Sequence, residues 1–289
     1  AFATAGVGAH TLFEAISEES LSRLGEFKAQ GLANIVWAFA RAGAESPRLF
    51  DGIAEAALSR VDEFDPRELA NVAWAYAARG VDAPQLFTVI AEATLSRMEE
   101  VSVQGLANTA WAFACMDWKE PGLFVALADA SAVHVSTMSE EGRSQLYLAG
   151  MHFRLEWPDL SFPLSLDDRR LQSAYLHHEP RRSQMHRDLS AILDGLGWTH
   201  VNEHLTAEVI SLDMAQPDVK RALETDGPSH FLRDVSSGQY IENGATKFKS
   251  RLLRRLGWDV VRVPFFEWEP LKGAPMREAY VPAKLTSRR

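Results

Sequence analysis

One stretch of this chain occurs three times at a fixed interval of 37 residues: GLANIVWAFARAG from Gly31, ELANVAWAYAARG from Glu68 and GLANTAWAFACMD from Gly105. Flanking positions keep the same register. Phe13, Phe50, Phe87 and Phe124 recur at it, as do the Leu-Ser-Arg triplets that start at Leu21, Leu58 and Leu95. Pro47, Pro84 and Pro121 stand three residues before a repeated Phe, where proline suits the first turn of a helix. Each unit therefore reads as two helices. The first runs from Pro-x-Leu-Phe to Leu-Ser-Arg, and the second carries Leu-Ala-Asn-x-x-Trp-Ala. A fixed period of a few tens of residues predicts an α-solenoid, whose units bury their faces against their neighbours. The pattern fades at Gln145-Leu-Tyr-Leu-Ala-Gly, which reads as a degenerate, closing helix. Trp37, Trp74 and Trp111 fall among Ala and Leu at helical spacing, as an interhelix seam requires.

The chain has 289 residues, 46% of them hydrophobic, enough for a sizeable core and for two domains. Cys115 is the single cysteine, so an intrachain disulfide is excluded and a thiolate metal site is not expected. No apolar run approaches the roughly 20 residues that span a bilayer, so no membrane partner is expected. The chain starts at Ala1, almost at the start of a repeat, and reads as a fragment or processed product whose targeting segment would be lost. Net charge is −9 but uneven. Residues 1–150 hold 10 basic and 20 acidic side chains, and residues 151–289 hold 20 and 19. Any polyanion contact therefore belongs to the second half or to a local groove.

Residues 1–153 form the helical repeats, and residues 154–182, with their prolines and charge pairs, read as a connector. Trp157, Phe162, Leu164 and Tyr175 are apolar enough to pack it partly on the repeats. His177 and His178 are adjacent and point apart on any regular element, so they do not read as a metal site. Residues 183–289 change pattern: a helix (183–197), a strand across residues 200–215, a strand (221–227), a polar loop, a basic helix (246–257) and a strand (258–264). That order predicts an α+β layer with a central sheet. The segment from Phe265 to Leu271 is expected to close the sheet edge.

Three acids converge on that sheet. Period-2 geometry puts Glu224 and Asp226 on one face of their strand, with His230 just beyond the Gly227-Pro228 turn. If Pro217 to Lys220 form a four-residue hairpin loop, Asp213 lies opposite Glu224, about 5 Å away between Cβ atoms. A two-residue loop at Gln216-Pro217 would leave them roughly 13 Å apart. On the basic helix, Lys247, Arg251, Arg254 and Arg255 make one positive stripe, with Lys249 off it and Arg262 on the next strand. The stripe is either a solvated face or a phosphate track. Lys220, Arg221 and Arg233 are candidates for the same groove, and Tyr240 and Phe265 are candidates for base stacking.

The helix pattern Leu-Ala-Asn-x-x-Trp-Ala-Phe-Ala resembles the heptatricopeptide and octotricopeptide repeats of organellar RNA-binding proteins, over about residues 8–150. The resemblance implies RNA contact along one face of the stack. It leaves Asn34, Asn71 and Asn108, poorly placed inside helices, with two roles: bracing a neighbouring loop or reading a base.

The run Leu223-Glu-Thr-Asp-Gly-Pro-Ser-His-Phe, then Thr246-Lys-Phe-Lys-Ser-Arg-Leu-Leu, Leu256-Gly-Trp-Asp-Val-Val-Arg-Val-Pro and Glu267-Trp resembles the RAP domain, over about residues 183–271. RAP domains follow helical repeats in organellar RNA-metabolism proteins, which implies single-stranded or ribosomal RNA as ligand, ribonucleoprotein proteins as partners, and a mitochondrion, or alternatively a plastid, as location. The acids are also similar to those of the restriction-endonuclease-like superfamily, which implies Asp213, Glu224 and Asp226 as Mg²⁺ ligands and His230 as acid or base. Two departures stand against cleavage: Asp226 occupies the usual lysine position, and Asp188, beside His186, replaces the usual helix glutamate. Three readings stay open: a Mg²⁺-dependent endoribonuclease, an inactive nuclease fold that binds RNA, and a protein-docked subunit.

Overall fold

The computed structural model describes residues 10–166, 168–176, 183–233 and 238–286. His177, His178 and the side chain of Tyr175 lie outside what is described. Two compact units result, one of residues 1–175 with 231–248 and one of residues 176–230 with 249–289. The first unit therefore extends past residue 153 through most of the expected connector, and it also includes a piece of the polar loop.

Eight α-helices open the described residues: α1 (His10–Ser22), α2 (Ala29–Ala42), α3 (Pro47–Ser59), α4 (Pro66–Arg79), α5 (Pro84–Ser96), α6 (Val103–Cys115), α7 (Pro121–Ala132) and α8 (Glu140–Glu156). The repeated prolines occupy first helical positions at Pro47, Pro84 and Pro121. Gly43 and Gly80 end α2 and α4 in the left-handed region, at φ 67° and 64°, where a side chain is costly. Asp117 takes the matching place after α6 with φ 57°. Helices α2, α4, α6 and α8 pack side by side as one layer, and α1, α3, α5 and α7 as another.

The repeated phenylalanines fasten the layers together. Phe13 meets Phe39, Phe50 meets Tyr76 and Phe87 meets Phe113 edge-to-face, each pair at 5.0–5.1 Å between centroids. Such pairs are worth about 0.5–1.5 kcal/mol beyond the area they bury. The Tyr76 hydroxyl also donates to the Phe50 carbonyl at 2.5 Å, and burial pushes this phenol well above its ordinary pKa. Two of the three Leu-Ser-Arg arginines reach back one unit. Arg60 donates to the Phe27 carbonyl at 3.1 Å and Arg97 to the Phe64 carbonyl at 2.8 Å. Burial lowers the Arg79 guanidinium to about 10, opposed by Glu45 at 4.0 Å.

The expected connector packs on α8. Phe162 stacks on Phe153 at 5.1 Å, and a methyl group on Gly150 would lie 2.6 Å from both Phe162 and Leu166. Helix α9 (Arg169–Leu176) follows. Strands β4 (Phe231–Arg233) and β5 (Tyr240–Glu242), numbered in chain order after the three strands below, pair antiparallel where the sequence reads as loop. They lead into α11 (Gly244–Arg255), the helix through which the division between units runs. Asn243 starts it by accepting the Thr246 N–H at 2.9 Å.

The second unit contains α10 (Gln184–Gly195), β1 (Val201–Leu205), β2 (Ser211–Gln216), β3 (Arg221–Asp226), β6 (Asp259–Pro264), α12 (Phe265–Trp268) and α13 (Ala274–Thr286). The sheet order is β1-β2-β3-β6, antiparallel except for the parallel β3–β6 pair. The single strand expected over residues 200–215 is in fact a hairpin. Thr206 accepts the Ile210 N–H on its hydroxyl at 3.1 Å, and Val209 turns at φ 64°. The segment after Pro264 is a helical turn that sends Trp268 into the core, so it does not extend the sheet. Met214, Leu223 and Val263 form the apolar face, packed with Leu189 and Leu193 of α10 and Val281 of α13. In the outer strand, Glu203 takes a left-handed backbone at φ 54°. No helix among the described residues is long and apolar enough to cross a membrane.

A methyl group on Gly244 would stand 1.7 Å from the Ala77 carbonyl oxygen, an approach that only a backbone shift relieves. Gly244→Ala is expected to lose about 2–3 kcal/mol in urea unfolding. Gly195→Ala, with nothing within 4 Å of the new carbon, is expected to stay within about 0.5 kcal/mol of the parent.

Candidate functional site

The β2–β3 register pairs Met214 with Leu223, Ala215 with Ala222 and Gln216 with Arg221, which leaves Pro217 to Lys220 as a four-residue connection. Lys220 takes φ 48° to close it. One step further along the register, Asp213 falls opposite Glu224, and there side chains replace the backbone ladder. The Asp213 N–H donates to Glu224 Oε1 at 3.1 Å. Asp213 Oδ2 accepts from the Thr225 N–H at 2.7 Å and from the Thr225 hydroxyl at 2.5 Å.

Glu224 and Asp226 share the face of β3 opposite the apolar core, and both are buried. Parallel pairing sets Arg262 of β6 beside Glu224. The Arg262 guanidinium turns onto Asp226, donating through Nε to Oδ2 at 2.7 Å and through Nη2 to Oδ1, while its Nη1 donates to the Ser250 hydroxyl at 2.9 Å. Lys249 of α11 reaches Glu224 Oε2 at 2.5 Å. His230 lies with Nδ1 3.4 Å from Asp226 Oδ1, its side chain 39% exposed.

Two carboxylates and two cations thus balance on a buried face, with hydrogen bonds on all four carboxylate oxygens. Lys249 and Arg262, 25% and 11% exposed, already supply the positive charge that a divalent cation would bring, so a metal would have to displace both from a largely buried face. Among the described residues, Asp213, Glu224 and Asp226 do not bring three ligand atoms together closely enough to share one ion. Asp188 lies elsewhere, bound to Arg277 at 2.7 Å, and His186 meets Asn202 Oδ1 at 2.9 Å.

The basic residues divide into two groups. Lys247, Arg254 and Arg255 are exposed and Arg251 is half-buried. Arg262 is instead an ion-pair partner, 11% exposed. Lys220 donates to the Leu256 carbonyl at 2.9 Å, and Arg221 pairs with Asp259 at 3.3 Å and donates to the Leu285 carbonyl. Arg233 and Tyr240 are exposed, and Phe265 is half-buried against Phe266.

A second constellation lies in the first unit. Asn34, Asn71 and Asn108 occupy matching turns of α2, α4 and α6. Asn34 is exposed and the other two are half-exposed. One turn on, Trp37, Trp74 and Trp111 form a ladder at 6.4 and 6.2 Å between centroids, tilted by 36° and 33°. Trp37 and Trp74 are half-exposed and Trp111 is 8% exposed, so the indoles pack the seam while keeping part of their surface in solvent. Gln145 continues the amide series on α8, and Gln104 joins it to Asn108 by bonds of 3.3 and 3.0 Å. Gln104 also accepts from the Ser139 hydroxyl at 3.0 Å. Loop bracing is therefore confined to this last seam among the described residues.

A family profile described as RNA-editing substrate-binding complex 6 protein matches residues 1–154, more than half of the chain. The chain belongs to that family. A RAP domain profile matches residues 223–284, from the strand acids to α13. A relative, the RAP domain-containing protein, chloroplastic, of Oryza sativa subsp. japonica, is 31% identical over 136 residues. The match takes in 45% of this chain and 20% of that protein, so the chain spans only a fraction of its length. Both halves of the family resemblance, helical N-terminal region and RAP domain, are thus present.

Sequence reasoning missed Lys249 and Arg262 as partners of the acids, and Ser250 as the acceptor that steadies Arg262. The signal was present in Lys249, which stands off the exposed stripe, and in an arginine on a strand that pairs parallel with the acid strand. Asp226→Ala strands the Arg262 charge in a buried site and is expected to destabilise the protein by about 3–5 kcal/mol in urea unfolding. Asp226→Met combined with Arg262→Met is expected to recover most of that loss.

Proposed function

We propose that the chain is an RNA-binding protein of an organellar ribonucleoprotein, acting in processing, stability or translation of transcripts, ribosomal RNA included. The observation that carries this reading is the stripe of amides and indoles along α2, α4, α6 and α8. An amide offers a donor and an acceptor to a base edge, and an indole face stacks on any base. The helix pairs act as an α-solenoid of 37-residue period that supplies contact length. The RAP region, on an endonuclease-like core, grips the phosphodiester backbone through Lys247, Arg251, Arg254 and Arg255.

The description of the family and the RAP match support an RNA ligand. The chloroplastic relative supports an organelle, mitochondrion or plastid. Cleavage by Asp213, Glu224, Asp226 and His230 with Mg²⁺ finds no support in acids already neutralised by Lys249 and Arg262. A second role, as an architectural subunit docked to proteins of the same particle, is supported by the excess of acid in residues 1–150. That charge disfavours phosphate contact there, so affinity along the stripe comes from bases.

The test is binding of a mixed single-stranded RNA pool. Replacing Asn34, Asn71 and Asn108 together by Ala is expected to weaken binding on the order of 100-fold, at about 1 kcal/mol per lost contact. Arg254→Glu with Arg255→Glu is expected to flatten the salt dependence by about 0.7 per lost phosphate contact. With Mg²⁺ added, the RNA is expected to stay intact. Wild-type cutting that Glu224→Ala abolishes would restore the nuclease reading, and absence of RNA binding would leave the protein-docked one.

A further inference from the structure

Where α6 and α8 end, three side chains outside both constellations converge. Asp117 follows α6, and His152 and Glu156 stand one turn apart on α8. One ligand atom from each lies within 4.8 Å of the other two. We propose that these residues form a site for a divalent cation of the zinc class.

The donors are already arranged around positive charge. The Lys119 ammonium sits between the carboxylates, 2.8 Å from Asp117 Oδ1 and 2.6 Å from Glu156 Oε2. Lys119 is 52% exposed on a flexible stem, so it can leave when a stronger cation arrives. The imidazole selects the ion: magnesium and calcium prefer oxygen-only sites, whereas zinc takes mixed nitrogen and carboxylate sets.

His152 is 1% exposed and held by the rings of Phe124 at 5.4 Å, Trp157 at 5.9 Å and Phe248 at 6.2 Å. Its Nε2 lies 3.4 Å from the Trp118 carbonyl, which only accepts. A backbone carbonyl accepting from one ring nitrogen is the outer-shell support usual for ligating histidines.

The repeat supplies a separate argument. One unit earlier the matching positions read Gly80, Cys115 and Lys119, and two units earlier Gly43, Ala78 and Asp82. The complete ligand set therefore exists only at the last seam. A bound ion would tie the turn after α6 to α8 and stiffen that seam.

The test is calorimetric titration of the full chain with Zn²⁺, with Mg²⁺ as comparator. One saturable Zn²⁺ site is expected, with no Mg²⁺ binding at equal concentration. Glu156→Gln and Asp117→Asn are expected to weaken Zn²⁺ by 10-fold or more while the circular dichroism spectrum is unchanged. Lys119→Met, a change at an exposed side chain, is expected to tighten it several-fold by removing the competing ammonium. Unsaturable binding, Zn²⁺ affinity unaltered in both carboxylate variants, or a preference for Mg²⁺ would each overturn the proposal.

Discussion

Two carboxylates on a buried strand face must be neutralised, and most of the second unit follows from how this is done. Glu224 and Asp226 occupy alternate positions of β3 and therefore face the same way. A parallel neighbour, β6, is needed to set Arg262 beside them. Parallel strands require a crossover, and here the crossover contains α11, which delivers Lys249 and Ser250 to the same face. The opposite face then carries the apolar core of Met214, Leu223 and Val263. A charge lattice of this kind adds little net stability, because desolvation offsets most of the Coulomb gain. Its contribution is geometric: it holds Lys249 and Ser250 on the acid face and leaves Arg254 and Arg255 exposed.

In the first unit the division of labour lies among aromatic rings. Phenylalanines at one repeated position are buried and join the two helix layers edge-to-face. Tryptophans at another run along the open side of a single layer. Both sets look alike in a repeat alignment. What separates them is the neighbour one turn away: an apolar side chain beside the phenylalanine, an asparagine beside the tryptophan.

Legibility in the sequence followed the range of the interaction. Helix pairs, their proline starts and glycine ends are set within a few residues, and the 37-residue interval repeated that local signal. The hairpin at Thr206–Ile210 was hidden because Val209, a β-branched residue, adopts a turn conformation it seldom takes. The strand acids could be placed on one face, but their partners come from 25 and 36 residues downstream. Nothing local to Glu224 or Asp226 announces Lys249 or Arg262. The trio at Asp117, His152 and Glu156 was hidden for the same reason, being assembled from two helices.

The outer strand of the four-stranded sheet presents Val201 and Leu205, both nearly half exposed, at what is an edge of the sheet among the described residues. Such an edge is a template on which a second molecule can extend the sheet. Glu203 sits between the two apolar residues with its backbone at φ 54°. The hydrogen-bonding groups on either side of it cannot align as one continuous tape, while its carboxylate turns inward, 3.6 Å from His186 Nδ1. The distortion that looks like a local irregularity thus keeps an apolar rim from becoming a seed for aggregation.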